Sequence, residues 1–414
     1  MRFLASLSDR RWSTVLVAVI VVLALPFTMR AQDATITESL QTFRTYPFSD
    51  PDPVARMGNI YPYVHFHGFS MNPMDRQWKI VTLENRWVRV LVAPEIGGKV
   101  LGAIEKSTGR AFIYYNKVIK FREIAMRGPW TSGGIEFNFG DLGHAPTTST
   151  PVDYLTRTNP DGSVSCIVGA LDLPSRSEWR VEIRVPRDKA MFETRAFWYN
   201  PTPVTTSLYH WMNAAADADS TLQMIYPGTA FIGHGGEVAE WPVDREGRDL
   251  SWYRNNAFGA NKSYHVLGSY TDYFGARWND FGVIHWSRFT DKPGKKLWLW
   301  SLSREGAIWT DLLTDTALGN TQYIELQSGL HFNQAIMQSS RTPFKHMAFL
   351  PQTTVRFTES WFPFRDLDGV KHATPDGVLD VRQSAGKLLF GFCPTGSFKG
   401  TMTVVAGGIT LLVR

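Results

Sequence analysis

The stretch TSGGIEFNFGDLGHAPTTSTP, Thr131–Pro151, sets one carboxylate, Glu136, among Ile135, Phe137 and Phe139, and follows it with Asp141 and His144 on a turn. Burying a carboxylate is costly unless donors meet it. Glu136 is therefore either satisfied by the backbone N–H groups of the glycine turn and by His144, or kept for chemistry. In QYIELQSGLHFNQ, Gln322–Gln334, the residues Tyr323, Glu325 and Gln327 recur at every second position and share one side of a strand. A phenol, a carboxylate and an amide in a row make a hydrogen-bonding surface for hydroxyls, although a solvent-facing strand edge has the same pattern. His65 and His67 in YVHFHGFS also share a strand face, as metal pairs do, but no third ligand stands at a readable spacing and no metal is expected. Trp130, beside GGIEFN, is the candidate stacking platform for a sugar ring. Trp286, Trp298, Trp300 and Trp309 fall in candidate groove strands or loops, with Trp309 a further contact residue.

The elements that must position these groups are strands. Segments such as WVRVLVAPEIGGKVLGAIE, EWRVEIRVPRD, FETRAFWYN and TTVRFTESWFPF alternate or run β-branched between Gly, Pro and Asn. No amphipathic helix longer than about two turns is legible in the interior. Residues 376–414 read as a small second β domain whose end at Arg414 is abrupt, that is, an incomplete one.

Composition narrows the function classes. The 414 residues are 43% hydrophobic and 13% aromatic, with 15 Trp, 14 Tyr and 26 Phe, enough for a large all-β core. The same aromatic wealth suits surfaces that grip sugars. Residues 1–31 read as a secretory signal: Arg2, Arg10 and Arg11 precede the apolar run Val15–Phe27, with cleavage after Ala31. The run is shorter than the ~20 apolar residues of a membrane span. Export to the periplasm or the exterior is expected, with the signal segment the sole membrane contact. The signal carries four arginines and one aspartate, so the net charge of +5 falls to +2 in the remainder. No basic stripe remains to hold nucleic acid. Cys166 and Cys393 are the only cysteines, some 227 residues apart; a disulfide is open to an exported protein, and two lone buried thiols are the preferred reading. No Walker A, GxSxG, CxxC or dinucleotide fingerprint appears, and no cofactor is expected.

Three further stretches carry a resemblance. NPTPVTTSLYHWMNAAADADSTLQMIYPGTAFI, Asn200–Ile232, is similar to the central signature of aldose 1-epimerases, whose histidine-bearing strand protonates the sugar ring oxygen. EIGGKVLGAIEKSTGRAFIYYN, Glu95–Asn116, resembles the N-terminal strand pair of the same family. QYIELQSGLHFNQ resembles its general-base strand. More closely, residues 55 to 365 resemble a bacterial domain-of-unknown-function family on this fold, through RGPWTSGGIEFNFG, GKKLWLWSLSREGAIWTDLLTD and YIELQSG. Members often continue into tetratricopeptide repeats, and none is read in this chain.

The resemblance implies an all-β, galactose mutarotase-like antiparallel β-supersandwich over residues 55–365, after an N-terminal extension at 32–54. It places the ring-oxygen acid on His210, with Tyr209 beside it as a sugar contact, and the general base on Glu325, with Gln327 beside it. A histidine with an ordinary pKa of ~6.5 suits that role near neutrality. Sugars bind one sheet of such sandwiches, so a Glu136 facing Glu325 there would form a glycosidase pair. Desolvation would raise Glu136 into an acid, and Glu325 would stay ionised as base or nucleophile. A separation of ~5–5.5 Å would then mean retention and ~6.5–9.5 Å inversion. Contacts to an oligosaccharide or polysaccharide fall to Trp130, His144, Tyr209, Tyr323, Gln327 and Trp309. The alternative is a non-catalytic glycan-binding module on the same sandwich.

Overall fold

A computed structural model describes residues 2–6, 17–23, 34–48, 69–122, 129–140, 143–319, 321–334, 347–406 and 409–413. His65, His67 and Asp141 lie outside the described residues. As expected, the chain is all-β: two large sheets pack face to face. Strand pairing is antiparallel in both, apart from Arg44–Tyr46 running parallel to Val118–Lys120.

The larger sheet centres on five strands in the order Asn261–Leu267, Gly294–Trp300, Tyr323–Gly329, Thr206–Asp217 and Ile135–Gly140, continuing into Lys99–Glu105. The smaller sheet includes Val164–Leu171, Glu178–Val185, Phe192–Tyr199 and Thr354–Arg365. Strand alternation sends Phe137, Phe139, Met212, Ala214, Ile324, Leu326, Leu297 and Leu299 inward, where they meet Val168, Trp179, Val181, Trp198 and Phe357 of the smaller sheet. Phe139 stacks on Trp179 with ring centroids 5.1 Å apart. This inner face also buries a polar knot. Glu359 accepts from Ser328 and lies 2.8 Å from His285 Nε2 and 3.6 Å from Lys292 Nζ, and the side chains of Glu359, His285 and Lys292 are fully enclosed.

Two expectations need correction. Arg304–Leu313 forms a ten-residue helix, nearly three turns. Its periodicity is blurred by Gly306 and Thr310. Ser303 caps it by accepting from Gly306 N, and Leu313, Leu312 and Trp309 pack on the aromatic cluster of Tyr114, Trp130, Trp300 and Tyr323. Trp286, expected among the groove residues, lies in the smaller sheet, paired with Tyr273 and Ser360.

Towards the C-terminus, His372–Thr374, Gly377–Ser384 and Lys387–Pro394 form a separate small sheet with Arg2–Ser6, and Gly400–Ala406 pairs with Val17–Leu23 and Ile409–Val413. Ala373 and Val378 pack on Tyr273, Ile284, Phe362 and Phe364 of the smaller sandwich sheet.

Candidate functional site

The outer face of the larger sheet is polar where its strands are most central. In register, Glu136 pairs with Asn213, Asn213 with Gln327, and Gln327 with Lys296, an unbroken row of four polar side chains across four strands. One row along, Ala215 pairs with Glu325 and Glu325 with Trp298. Glu136 and Glu325 thus share a face, two strands apart at about 4.8 Å per strand. All of the row, with Glu325 and Lys99, is buried.

The glycine pair explains how Glu136 reaches this place. Gly133 and Gly134 take positive φ values of 77° and 66°, and a Cβ on Gly134 would stand 1.9 Å from the Val100 carbonyl oxygen. Only a residue without a side chain allows the turn to press against the neighbouring strand. The turn also delivers Trp130, whose indole N–H donates to Glu136 Oε2 at 2.6 Å. The other carboxylate oxygen, Oε1, accepts from Asn138 Nδ2 at 3.1 Å and from Asn213 Nδ2, and lies 2.8 Å from His144 Nδ1. Asn138 ties the arrangement together, because its Oδ1 accepts from Ala145 N at 2.6 Å and so anchors the turn that bears His144. His144 itself sits at φ 51°, a left-handed conformation that a non-glycine residue holds only under surrounding constraint. Its ring stands edge-on to Trp130 at 5.4 Å.

These contacts reverse the expected electrostatics of the two glutamates. Burial pushes Glu136 up, but His144, Lys99 and the Asn138 amide outweigh it and bring its carboxyl down to about 2. Glu325 is raised, by burial first and the Glu136 charge second, with His144, Gln327 and Lys296 pulling only partly the other way. The two carboxyls are thus driven apart, Glu136 towards its ionised form and Glu325 towards its protonated one. Lys99 is brought down to about 8 by burial, against the pull of Glu136 and Glu325. It donates to Thr131 O at 3.0 Å and Thr131 Oγ1 at 3.2 Å, so it braces the glycine turn. Burial brings Lys296 to about 7 beside Glu325, and its ammonium donates to Gln334 Oε1.

The remaining candidates divide. Tyr323 and Gln327 join the site face, and Gln327 Nε2 donates to Glu325 Oε2. Tyr209 is on the same face at the far end, hydrogen-bonded to Gln334 and 5.6 Å from the His331 ring. Trp130 is enclosed and acts as a donor to Glu136 rather than as an open stacking surface. Trp309 stacks on Trp300 at 4.3 Å in the helix-covered aromatic cluster.

His210 is not brought to the carboxylates. It pairs with Phe139 and so points inward, its ring 4.2 Å from Phe139 and 4.8 Å from Phe357. Its Nδ1 lies 2.7 Å from the Asn138 carbonyl, and burial, with Lys292 near, holds its pKa well below the ordinary histidine value. Lys99, Asn138, Asn213 and Lys296 were not anticipated. A lysine inside the aromatic strand GKKLWLW is the same anomaly as Glu136 and could have been read the same way.

A family described as "Domain of unknown function (DUF5107)" matches residues 55–364. Among solved structures, a TPR-domain containing protein from Parabacteroides distasonis is similar with a TM-score of 0.70 at 23% identity, covering 81% of this chain. This chain spans only 56% of that protein's length. A galactose mutarotase-like protein from Clostridium acetobutylicum superposes with a TM-score of 0.51 at 10% identity, over 70% of this chain and 96% of that one. A putative aldose 1-epimerase from Klebsiella pneumoniae gives a TM-score of 0.47 at 9% identity, over 70% of this chain and 80% of that one. The fold is thus the galactose mutarotase-like β-sandwich.

Proposed function

The chain belongs to the DUF5107 family, and from the site itself we propose a carbohydrate-active enzyme that works by general acid–base catalysis at a sugar oxygen. The observation that carries this reading is the opposed state of two glutamates on one sheet face, Glu136 held ionised against His144 and Glu325 held towards its protonated form. Such separation of neighbouring carboxyl groups marks an acid–base site. Glu136 meets Trp130, Asn138, Asn213 and His144, and is too fully engaged to attack a sugar carbon. It orients His144 as the carboxylate of a dyad does. Glu325 then gives its proton to the ring or glycosidic oxygen, and His144 takes one from the anomeric hydroxyl or from water. In the aldose epimerase-like outcome the ring oxygen is protonated, the anomeric hydroxyl loses its proton and the ring opens. In the hydrolytic one the glycosidic oxygen is protonated, its bond to the anomeric carbon breaks and water adds there as it loses a proton.

The test is a glycan panel screened for binding, with each bound sugar followed by NMR for anomeric exchange and for hydrolysis. Turnover by wild type is expected. His210→Leu should keep it within a few-fold while losing about 1–3 kcal/mol of stability, because the Asn138 carbonyl loses its buried partner. Binding without turnover would make the protein a glycan-binding module. A His210→Leu variant as inactive as one lacking Glu325 would return the chemistry to the inner face.

Export is part of the proposal and rests on the leader-like residues 1–31. A tagged chain found in the cytoplasmic fraction with residues 1–31 intact would overturn it.

A further inference from the structure

Between the two carboxylates lies a pair of amides with unmet needs. Asn213 and Gln327 face each other on adjacent strands and point to the same side, with Cβ atoms about 5 Å apart, as for any directly opposed pair. Each amide nitrogen is committed. Asn213 Nδ2 donates to Glu136 Oε1, and Gln327 Nε2 donates to Glu325 Oε2. For Asn213 the orientation follows from chemistry, since the ionised Glu136 only accepts and the amide must turn its NH2 group towards it; Gln327 presents its NH2 group to Glu325 in the same sense. The two carbonyl oxygens are therefore turned away from the carboxylates. Both Asn213 Oδ1 and Gln327 Oε1 are enclosed and meet no donor among the described residues, although the two residues are only 6% and 4% exposed. Buried acceptors are nearly always paired, and one left bare in a native protein needs a physical reason.

Resting on the carbohydrate reading above, we infer that Asn213 and Gln327 form a subsite that accepts hydrogen bonds from two neighbouring hydroxyls of one sugar ring. The ligand must donate at both positions. Carboxylate, sulfate and phosphate substituents offer no donor, and an O-methyl group or a missing hydroxyl removes one. Next in the row, Lys296 supplies an ammonium that only donates. A hydroxyl satisfies both kinds of neighbour, because it donates to an amide oxygen while accepting from the ammonium. The subsite thus selects an unmodified vicinal diol rather than an acidic or esterified sugar. The same two amides link each hydroxyl to one of the two glutamates, so the ring is registered against the acid–base pair as it binds.

The experiment titrates the full chain by calorimetry with methyl glucoside, galactoside and mannoside. The best binder is then compared with its monodeoxy and mono-O-methyl derivatives and with its uronate. Two adjacent positions should each lose roughly 10- to 100-fold in affinity when the hydroxyl is removed or methylated. One of these penalties should vanish in Asn213→Ala and the other in Gln327→Ala. If a parent glycoside binds but no adjacent pair of hydroxyls is required, the diol subsite is wrong and the carbohydrate reading stands. The subsite is equally wrong if both penalties persist in the amide variants. The wild-type penalties decide the question alone should either variant fail to fold. Failure of every glycoside to bind sinks both readings together.

Discussion

Glu325→Gln is expected to abolish turnover while leaving the sandwich folded. The substitution keeps the shape of the side chain and lets its carbonyl go on accepting from Gln327 Nε2, but it removes the titrating proton. Losing one general acid–base partner costs ~10²–10⁴ in rate. Stability should move the other way. Burial and the Glu136 charge raise the Glu325 carboxyl, so the folded chain binds its proton more tightly than the unfolded chain does. That contribution is complete below the ordinary carboxylate range and is lost as pH rises through the folded value. As pH rises through that folded value the wild type takes on the cost of an ionised carboxylate in a buried site, and the neutral glutamine does not. Thermal melts at pH 7 to 8 should therefore show the variant at least as stable as wild type. Undiminished turnover would remove Glu325 from the chemistry, and a variant that fails to fold would make it a structural acceptor.

Glu136→Gln should do the opposite, costing both fold and activity. Trp130, Asn138 and Asn213 all aim donors at one carboxylate, with His144 beside it and Lys99 nearby. A glutamine there turns an NH2 group against donors and leaves the Lys99 ammonium without its anion. Removing one partner of a buried charged cluster costs about 3–5 kcal/mol. The pH dependence has a defined sign. With its carboxyl brought down to about 2, Glu136 contributes stability that is fully present above the ordinary carboxylate value and is lost as pH falls through the folded one. Urea denaturation from pH 6 down to pH 2.5 should show the wild type losing this contribution, and Glu136→Gln should be flatter across the same window. Parallel curves would mean that Glu136 is not the anion of the site. Activity should fall with stability, since His144 loses the carboxylate that orients it, and excess sugar should not restore it.

Much of this was open to inspection in the chain itself. A carboxylate between phenylalanines, or one in a row with a tyrosine and a glutamine, announces a buried polar site, because the cost of burying it bare is too high to carry without partners. Alternation and turn residues carry the all-β reading, and the short aldose 1-epimerase-like stretches point to the sandwich. The helix at Arg304–Leu313 escaped because its apolar positions face an aromatic cluster assembled from distant strands rather than forming a strong stripe of their own.

What the chain by itself determined, then, is the type of fold and the presence of Glu136, Glu325, Gln327 and His144 as residues needing partners. Which face His210 takes was decided by register: its pairing with Phe139 turns it into the core, while Asn213, three residues on, joins the site. The division of labour between the glutamates was decided by three-dimensional convergence. Donors from residues 130, 138, 144 and 213 meet on Glu136, whereas Glu325 has Gln327 and a Lys296 whose pKa burial lowers beside it. A carboxyl's pKa is the sum of burial, neighbouring charge and hydrogen bonds. Only burial can be guessed from the residues flanking it in sequence; the other two come from strands that the fold alone brings alongside.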